Sequence, residues 1–298
     1  MTGATSAEER SAVGVSGLAL LDIGDIIPSK IMQWLLTREE CCYNGRRKFY
    51  PSPDGDILQE TMVCSKPIFN PDGLELVRGV RKPSRITEDV REIWAAEEGS
   101  LAAFERWEAE QAENKARAVR RARQRVFDLA ACNQFDLFIT LTLAASAIDR
   151  YDYKAAVKRL GQWLDNRVRR RGLRYVIVPE LHKDGAVHFH GLINSSAVKL
   201  VDSGHQYKDG RTIFNLPEWH LGFTTAVHLT GSYMAVCGYI SKYITKQGGA
   251  VGGRYYLSGG TLAAPRFEYF NADFQQAPGD EFETNGGLSF KVVGNNHR

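Results

Sequence analysis

Cysteine, proline and long apolar runs are all scarce in this 298-residue chain. The five cysteines (Cys41, Cys42, Cys64, Cys132 and Cys237) are odd in number and widely scattered. That argues against a disulfide scaffold and for a reduced, cytoplasmic setting, here expected to be a bacterial host. The opening stretch MTGATSAEERS is polar and lacks the basic segment of a signal peptide. Val13 to Ile27 is apolar but interrupted by Ser16, Gly17, Asp22, Gly24 and Asp25, so neither a membrane span nor a membrane partner is expected. There is no GxxxxGK followed by Ser or Thr, hence no sign of an ATP-driven motor. Charge of one sign is not in large excess either. A net charge of +3 neither calls for nucleic acid nor opposes it, and 43% hydrophobic residues supply an ordinary core.

What is present divides the chain by texture. Residues 1–85 read as irregular, with prolines and glycines spread through Pro51 to Pro83. Cys41, Cys42 and Cys64 fit no standard zinc spacing, and structural thiols account for them. Residues 86–131 read as one long charged helix. It is acidic first (Glu97, Glu98, Glu105, Glu108, Glu110, Glu113) and then basic (Lys115, Arg117, Arg120, Arg121, Arg123, Arg125). The basic half could track a phosphate backbone; a solvated helix face explains it as well.

From residue 132 to 260 the pattern changes to strands and amphipathic helices. Strands are expected at Phe135–Leu143, Leu173–Glu180, Ala186–Asn194 and Phe223–Leu229, and helices at Asp152–Arg171 and Ser232–Thr245. Ser195 to Thr212 reads as a polar insert. This order predicts an α+β fold: an antiparallel sheet with helices packed on one face, preceded by the long helix and the irregular N-terminal region. Residues 261–298 read as a Gly-rich, irregular tail.

Two short motifs inside that domain carry chemistry. In PELHKDGAVHFHG, Asp184-Gly185 signals a hairpin turn. A three-residue loop, Lys183 to Gly185, would pair His182 with Ala186 and set Glu180 opposite His188, with His190 on the same face. A two-residue loop would turn Glu180 to the other face. One carboxylate and two imidazoles make a three-ligand site whose mixed donors suit Mn²⁺ or Mg²⁺. Half-buried strand histidines are the plainer account of His-x-His alone.

The second motif is YISKYITK, Tyr239 to Lys246. A spacing of four puts Tyr239 and Tyr243 on one helix face, with Lys242 and Lys246 as an adjacent stripe. A phenol attacks well only when deprotonated or beside positive charge, which lysines one turn away can supply. A core helix with packed tyrosines accounts equally for this segment taken alone. A divalent metal beside a tyrosine is what cutting and rejoining one DNA strand requires.

With FITLT (Phe138–Thr142) ahead of them, HFH and YISKYITK resemble, in order, the three motifs of the two-tyrosine branch of the HUH superfamily of rolling-circle replication initiators. The similarity covers about Asn133 to Gln247 and is closest to initiators of small single-stranded DNA phages and related mobile elements. It implies an HUH endonuclease domain with an RRM-like, or palm-like, sheet. It further implies that His188 and His190 bind the metal, with Glu180 as third ligand or His182 as substitute. Tyr239 and Tyr243 would be the nucleophiles, and Lys242 and Lys246 would position phosphate or metal. Relaxases of the superfamily place their tyrosine before the histidines, and its single-tyrosine transposases lack the tandem.

The activity so implied is site-specific nicking and strand transfer through a 5′-phosphotyrosine that leaves a free 3′ hydroxyl primer. The substrate would be single-stranded or extruded origin DNA, and a host helicase and DNA polymerase would unwind and copy. Arg167, Arg169, Arg170 and Arg171 could hold the strand, or simply be an exposed helix end. Two rivals remain: a non-catalytic single-strand-binding module stacking bases on Phe138 and Phe189, and a metal phosphodiesterase that uses water.

Overall fold

Leu137–Leu143 alternates strictly. Leu137, Ile139, Leu141 and Leu143 are buried on one side, while Phe138, Thr140 and Thr142 are half-buried on the other. β-Branched and aromatic residues at period two make this a strand with two differently used faces. In the computed structural model, which describes residues 43–52, 54–69, 96, 99–246, 249–283 and 288–294, this strand lies at the centre of a seven-stranded antiparallel sheet.

The described elements run β1 (Gly45–Tyr50), β2 (Ile57–Cys64), α1 (Ser100–Asn133), β3 (Leu137–Leu143), α2 (Tyr153–Arg171), β4 (Tyr175–Leu181) and β5 (Val187–Ile193). They continue with β6 (Val201–Gln206), β7 (Thr212–Asn215), β8 (Gly222–His228), α3 (Tyr233–Lys246), β9 (Leu257–Gly259), β10 (Arg266–Phe270), β11 (Asp280–Glu283) and β12 (Ser289–Gly294). The α+β class expected from sequence is what the chain adopts. Among the described residues no helix is long and apolar enough to cross a membrane.

The chain divides into two compact units. The larger, within Lys48–Glu60, Ile86–Phe267 and Gly294–Arg298, holds the three helices and the seven-stranded sheet, ordered β6-β7-β8-β3-β5-β4-β9. Helices cover both faces of this sheet, not one. The Leu137, Ile139, Leu141 face packs on Ala156, Leu160 and Leu164 of α2. The opposite face, with Val176, Val178, Leu192 and Phe138, packs on Val126, Leu129 and Ala130 of α1 and on Ile240 and Ile244 of α3. The strands around β3 carry apolar side chains on both faces, so each face needs its own cover.

Local chemistry explains the element ends. Asp152 caps α2 by accepting from the Ala155 N–H, and Gly172 closes it in the left-handed region at φ 66°. Pro179 sits in β4 opposite Phe189, but β9 pairs only with Tyr175–Ile177, so the missing proline N–H forfeits no bond on that side. On α1, the buried Asp128 carboxylate accepts through one oxygen from Lys48 Nζ at 2.5 Å, Tyr50 Oη at 2.7 Å and Gln124 at 2.8 Å.

The smaller unit lies within Met1–Arg47, Thr61–Arg85 and Glu268–Val293. Strands β1, β2, β10, β11 and β12 form a five-stranded sheet in the order β10-β1-β2-β12-β11. These strands correct two expectations. The span read as irregular, 1–85, contains β1 and β2, and the span read as an irregular tail, 261–298, contains β10, β11 and β12. GRRKFY and RFEYF are dense in charge, but hydrogen-bonded partners far along the chain, not local periodicity, make them strands. The first part of the expected long helix, 86–98, lies outside the described residues except for Ala96, and so do Cys41 and Cys42. Cys64, Cys132 and Cys237 are buried free thiols, and burial pushes Cys132 and Cys237 up to about 12.

Candidate active site

The β4–β5 hairpin builds one side of the site. Its loop is the three-residue type: His182 N–H donates to Ala186 O at 2.8 Å, Gly185 N–H to His182 O at 2.9 Å, and Gly185 has φ 86°. Tyr153 Oη holds the tip by donating to Gly185 O at 2.9 Å. Glu180 therefore stands opposite His188, and Val178 opposite His190. On the other flank of β5, Thr142 pairs with His188 and Thr140 with His190. Glu180, His188 and Thr142 thus form one row across three strands.

Each imidazole contacts a threonine through Nδ1: His190 to Thr140 Oγ1 at 3.1 Å, His188 to Thr142 Oγ1 at 3.4 Å. This leaves Nε2 as the second functional atom of each ring. His190 Nε2 meets Glu180 Oε2 at 2.6 Å. His188 instead stacks on His182, centroids 5.1 Å apart. Burial lowers the pKa of both His188 and His190 and outweighs the attraction of Glu180, so both rings are neutral near neutral pH.

Among the described residues no three His, Cys, Asp or Glu side chains are gathered as a metal-holding group. Of the expected ligands, Glu180 and His190 are in contact, and His188 stands one register step along the same face. The donor chemistry nonetheless fits a hard divalent cation. Two neutral imidazoles already engaged at Nδ1, beside a carboxylate, are the donors such an ion takes.

Helix α3 supplies the other side. Ser241, the small residue between the tyrosines, is buried, and its hydroxyl donates to Gly238 O at 2.9 Å. Its size lets the helix sit against the sheet. The Tyr239 and Tyr243 hydroxyls are 2.6 Å apart. Tyr239 is 52% exposed and Tyr243 5%, so the two phenols are not equivalent. The Tyr243 ring stacks on His190 with centroids 4.3 Å apart, and Phe138 lies 5.7 Å from the Tyr239 ring and 6.1 Å from His190.

Lys246 Nζ sits 4.8 Å above the Tyr243 ring centre and 3.3 Å from Glu180 Oε1. Its charge is thus shared with a carboxylate. Burial, then the hydrogen bond from Tyr239, pushes the Tyr243 phenol above its ordinary value, and the expected activation by an adjacent lysine is not visible here. Lys242 is exposed on the same helix and is not brought into this cluster.

The other expected contacts are placed elsewhere. Arg167 pairs with Glu218 beside Trp163 on α2, which packs on the opposite face of the sheet from the tyrosines, and Arg169, Arg170 and Arg171 form the exposed end of that helix. Phe189 is fully buried in the α2 core and presents no stacking face, whereas Phe138 does line the site. Sequence reasoning quoted Thr140 and Thr142 within FITLT but gave them no role. Their alternation with buried leucines was the signal that they share a face with the histidines.

No individual curated protein and no solved structure gives a significant match to the chain. Residues 136–248 match a family model for replication-associated proteins of the ORF2 type, and this similarity supports a rolling-circle replication-associated protein with a replication-initiator role.

Proposed function

We propose that the chain is a metal-dependent, site-specific single-strand DNA nicking and joining enzyme that starts rolling-circle replication, in keeping with the two-tyrosine HUH motifs of its sequence. The observation that carries this reading is the packing of Tyr243 on His190, with Tyr239 one hydrogen bond away. It sets two candidate nucleophiles beside a carboxylate–imidazole pair. Glu180, His188 and His190 would hold Mg²⁺ or Mn²⁺, which when bound draws charge off a non-bridging phosphate oxygen.

A tyrosine oxygen attacks phosphorus, and the bond from phosphorus to the 3′ oxygen breaks. The phenol proton passes through solvent to the departing oxygen, which becomes a free 3′ hydroxyl. One phosphodiester is exchanged for another, so rejoining needs no ATP. The second tyrosine allows a second transfer before the first product leaves. Lys246, shared between Glu180 and Tyr243, and Lys242, free to reach solvent, would meet the strand's phosphates. Unwinding and copying fall to a helicase and a polymerase of the host.

The test is a denaturing protein gel after incubation with labelled single-stranded origin DNA and Mn²⁺. The proposal predicts a metal-dependent covalent adduct that disappears in the Tyr239→Phe, Tyr243→Phe double variant. Cleavage without an adduct would assign the attack to water. Binding with neither would favour a single-strand-binding module.

A further inference from the structure

Phe223 is 74% exposed, although it lies inside a β-strand. Its register explains which way it looks. Phe223 pairs with Thr142, and Thr142 pairs with His188, which pairs with Glu180. Directly paired residues share a face, so Glu180, His188, Thr142 and Phe223 form one row across β4, β5, β3 and β8. The next row is Val178, His190, Thr140 and Thr225. In both rows exposure rises towards β8, where Phe223 and Thr225 are open, while Val227 one step further is buried. Helices α1 and α3 therefore leave a strip of this face uncovered, running from the histidines to Phe223.

The strip's chemistry identifies its occupant. It offers hydroxyls from Thr140, Thr142 and Thr225, two imidazoles, and a single phenyl ring. Cations stand around it: Lys242 and Lys246 on α3, and Arg150, which is 3.5 Å from Asp184 at the hairpin tip and whose Nε is buried without a partner. An apolar flat ring in a cationic, hydroxyl-lined strip suits a polymer of flat bases joined by anionic links. Phe223 is two strands from His188, about 10 Å at the usual strand spacing. That is within reach of a nucleotide flanking a phosphate held at the histidines.

We propose that Phe223 is a base-stacking subsite for an unpaired DNA nucleotide next to the scissile phosphate. The subsite rests on the nicking reading only for its position relative to the bond cut; the binding it predicts stands independently.

The probe is a labelled 20-mer of thymidine, about the length of one to a few single-strand sites, compared with an abasic sugar–phosphate strand of the same length. Fluorescence anisotropy reads the affinity of each. The parent is expected to prefer the thymidine strand, and Phe223→Ala to lose about fivefold or more of that preference while binding the abasic strand as before. Phe223→Trp should retain the preference. Because the side chain is exposed, the thermal midpoint of Phe223→Ala should match the parent's, which separates lost stacking from misfolding. Equal affinity of parent and Phe223→Ala for thymidine, or no preference over the abasic strand by the parent, overturns the subsite. So does a Phe223→Ala effect confined to self-association in sedimentation, which would make the ring a protein contact. The covalent adduct gel separates the two proposals: stacking with no adduct removes the nicking reading alone, and an adduct with no stacking removes the subsite alone.

Discussion

The phenol oxygens of Tyr239 and Tyr243 stand 2.6 Å apart, yet one ring is half in solvent and the other is sealed against His190. The pair shares a hydrogen bond but not an environment. Burial and that bond hold the Tyr243 phenol above its ordinary range.

The sign of this shift gives a pH dependence. The folded chain keeps the Tyr243 proton where an unfolded chain gives it up, at about pH 10. Stability therefore declines as pH rises above about 10, by up to about 1.4 kcal/mol per pH unit for each such tyrosine. Urea unfolding at about pH 9 and about pH 11 should show a smaller loss for Tyr243→Phe than for the parent. An equal loss would place the proton elsewhere.

If Glu180, His188 and His190 take a divalent ion, Mn²⁺ should raise the thermal midpoint of the parent. At an ion concentration a hundredfold above the dissociation constant the gain is about 2.7 kcal/mol. His188→Ala, His190→Ala should abolish that gain. An undiminished gain in the double variant would move the ion to another place.

Asp128 accepts from Lys48, Tyr50 and Gln124 with a single oxygen, deep between β1 and α1. Asp128→Ala strands the buried Lys48 ammonium and is expected to cost about 3–5 kcal/mol in denaturant unfolding. Asp128→Leu combined with Lys48→Met removes both charges and should recover most of it. A double variant as unstable as the single one would contradict the charge argument.

Gly191 follows His190 in β5, and a Cβ there would meet Ile177 Cγ1 at 2.6 Å and Val176 O at 3.1 Å. Gly191→Ala must push β4 from β5 at the register that sets Glu180 opposite His188. It should cost about 1–3 kcal/mol by overpacking and weaken Mn²⁺ binding in the same variant. Unchanged metal affinity would show that the hairpin tolerates the shift.

What the sequence made legible was whatever local chemistry decides. Asp184-Gly185 fixed the loop, the loop fixed the register, and the register put Glu180 opposite His188. The tyrosine spacing placed both phenols on one helix face. A second hairpin was readable by the same signal and went unread: Lys208-Asp209-Gly210 repeats the loop, with Tyr207 N–H donating to Arg211 O at 2.9 Å and Gly210 at φ 84°, inside the span taken as a polar insert. Side chains that pair across distance were beyond local reading. Nothing near Lys246 in sequence shows that Glu180 would claim its charge, and nothing near Glu180 shows that His190, not His188, would be its contact. Strands β1 and β10 are neighbours in one sheet although the chain between them is most of the molecule, and the Ala272 N–H reaches Asn44 across 228 positions just beyond their ends.

The central claim is a covalent bond between a tyrosine of α3 and the 5′ phosphate of the cut strand. The most direct test digests the protein after reaction with single-stranded origin DNA and Mn²⁺, trims the DNA with nuclease, and weighs the peptide that contains Tyr239 and Tyr243. A nucleotide-sized mass addition on one of these two residues is the predicted result. Cut DNA bearing a free 5′ phosphate beside an unmodified peptide would contradict it.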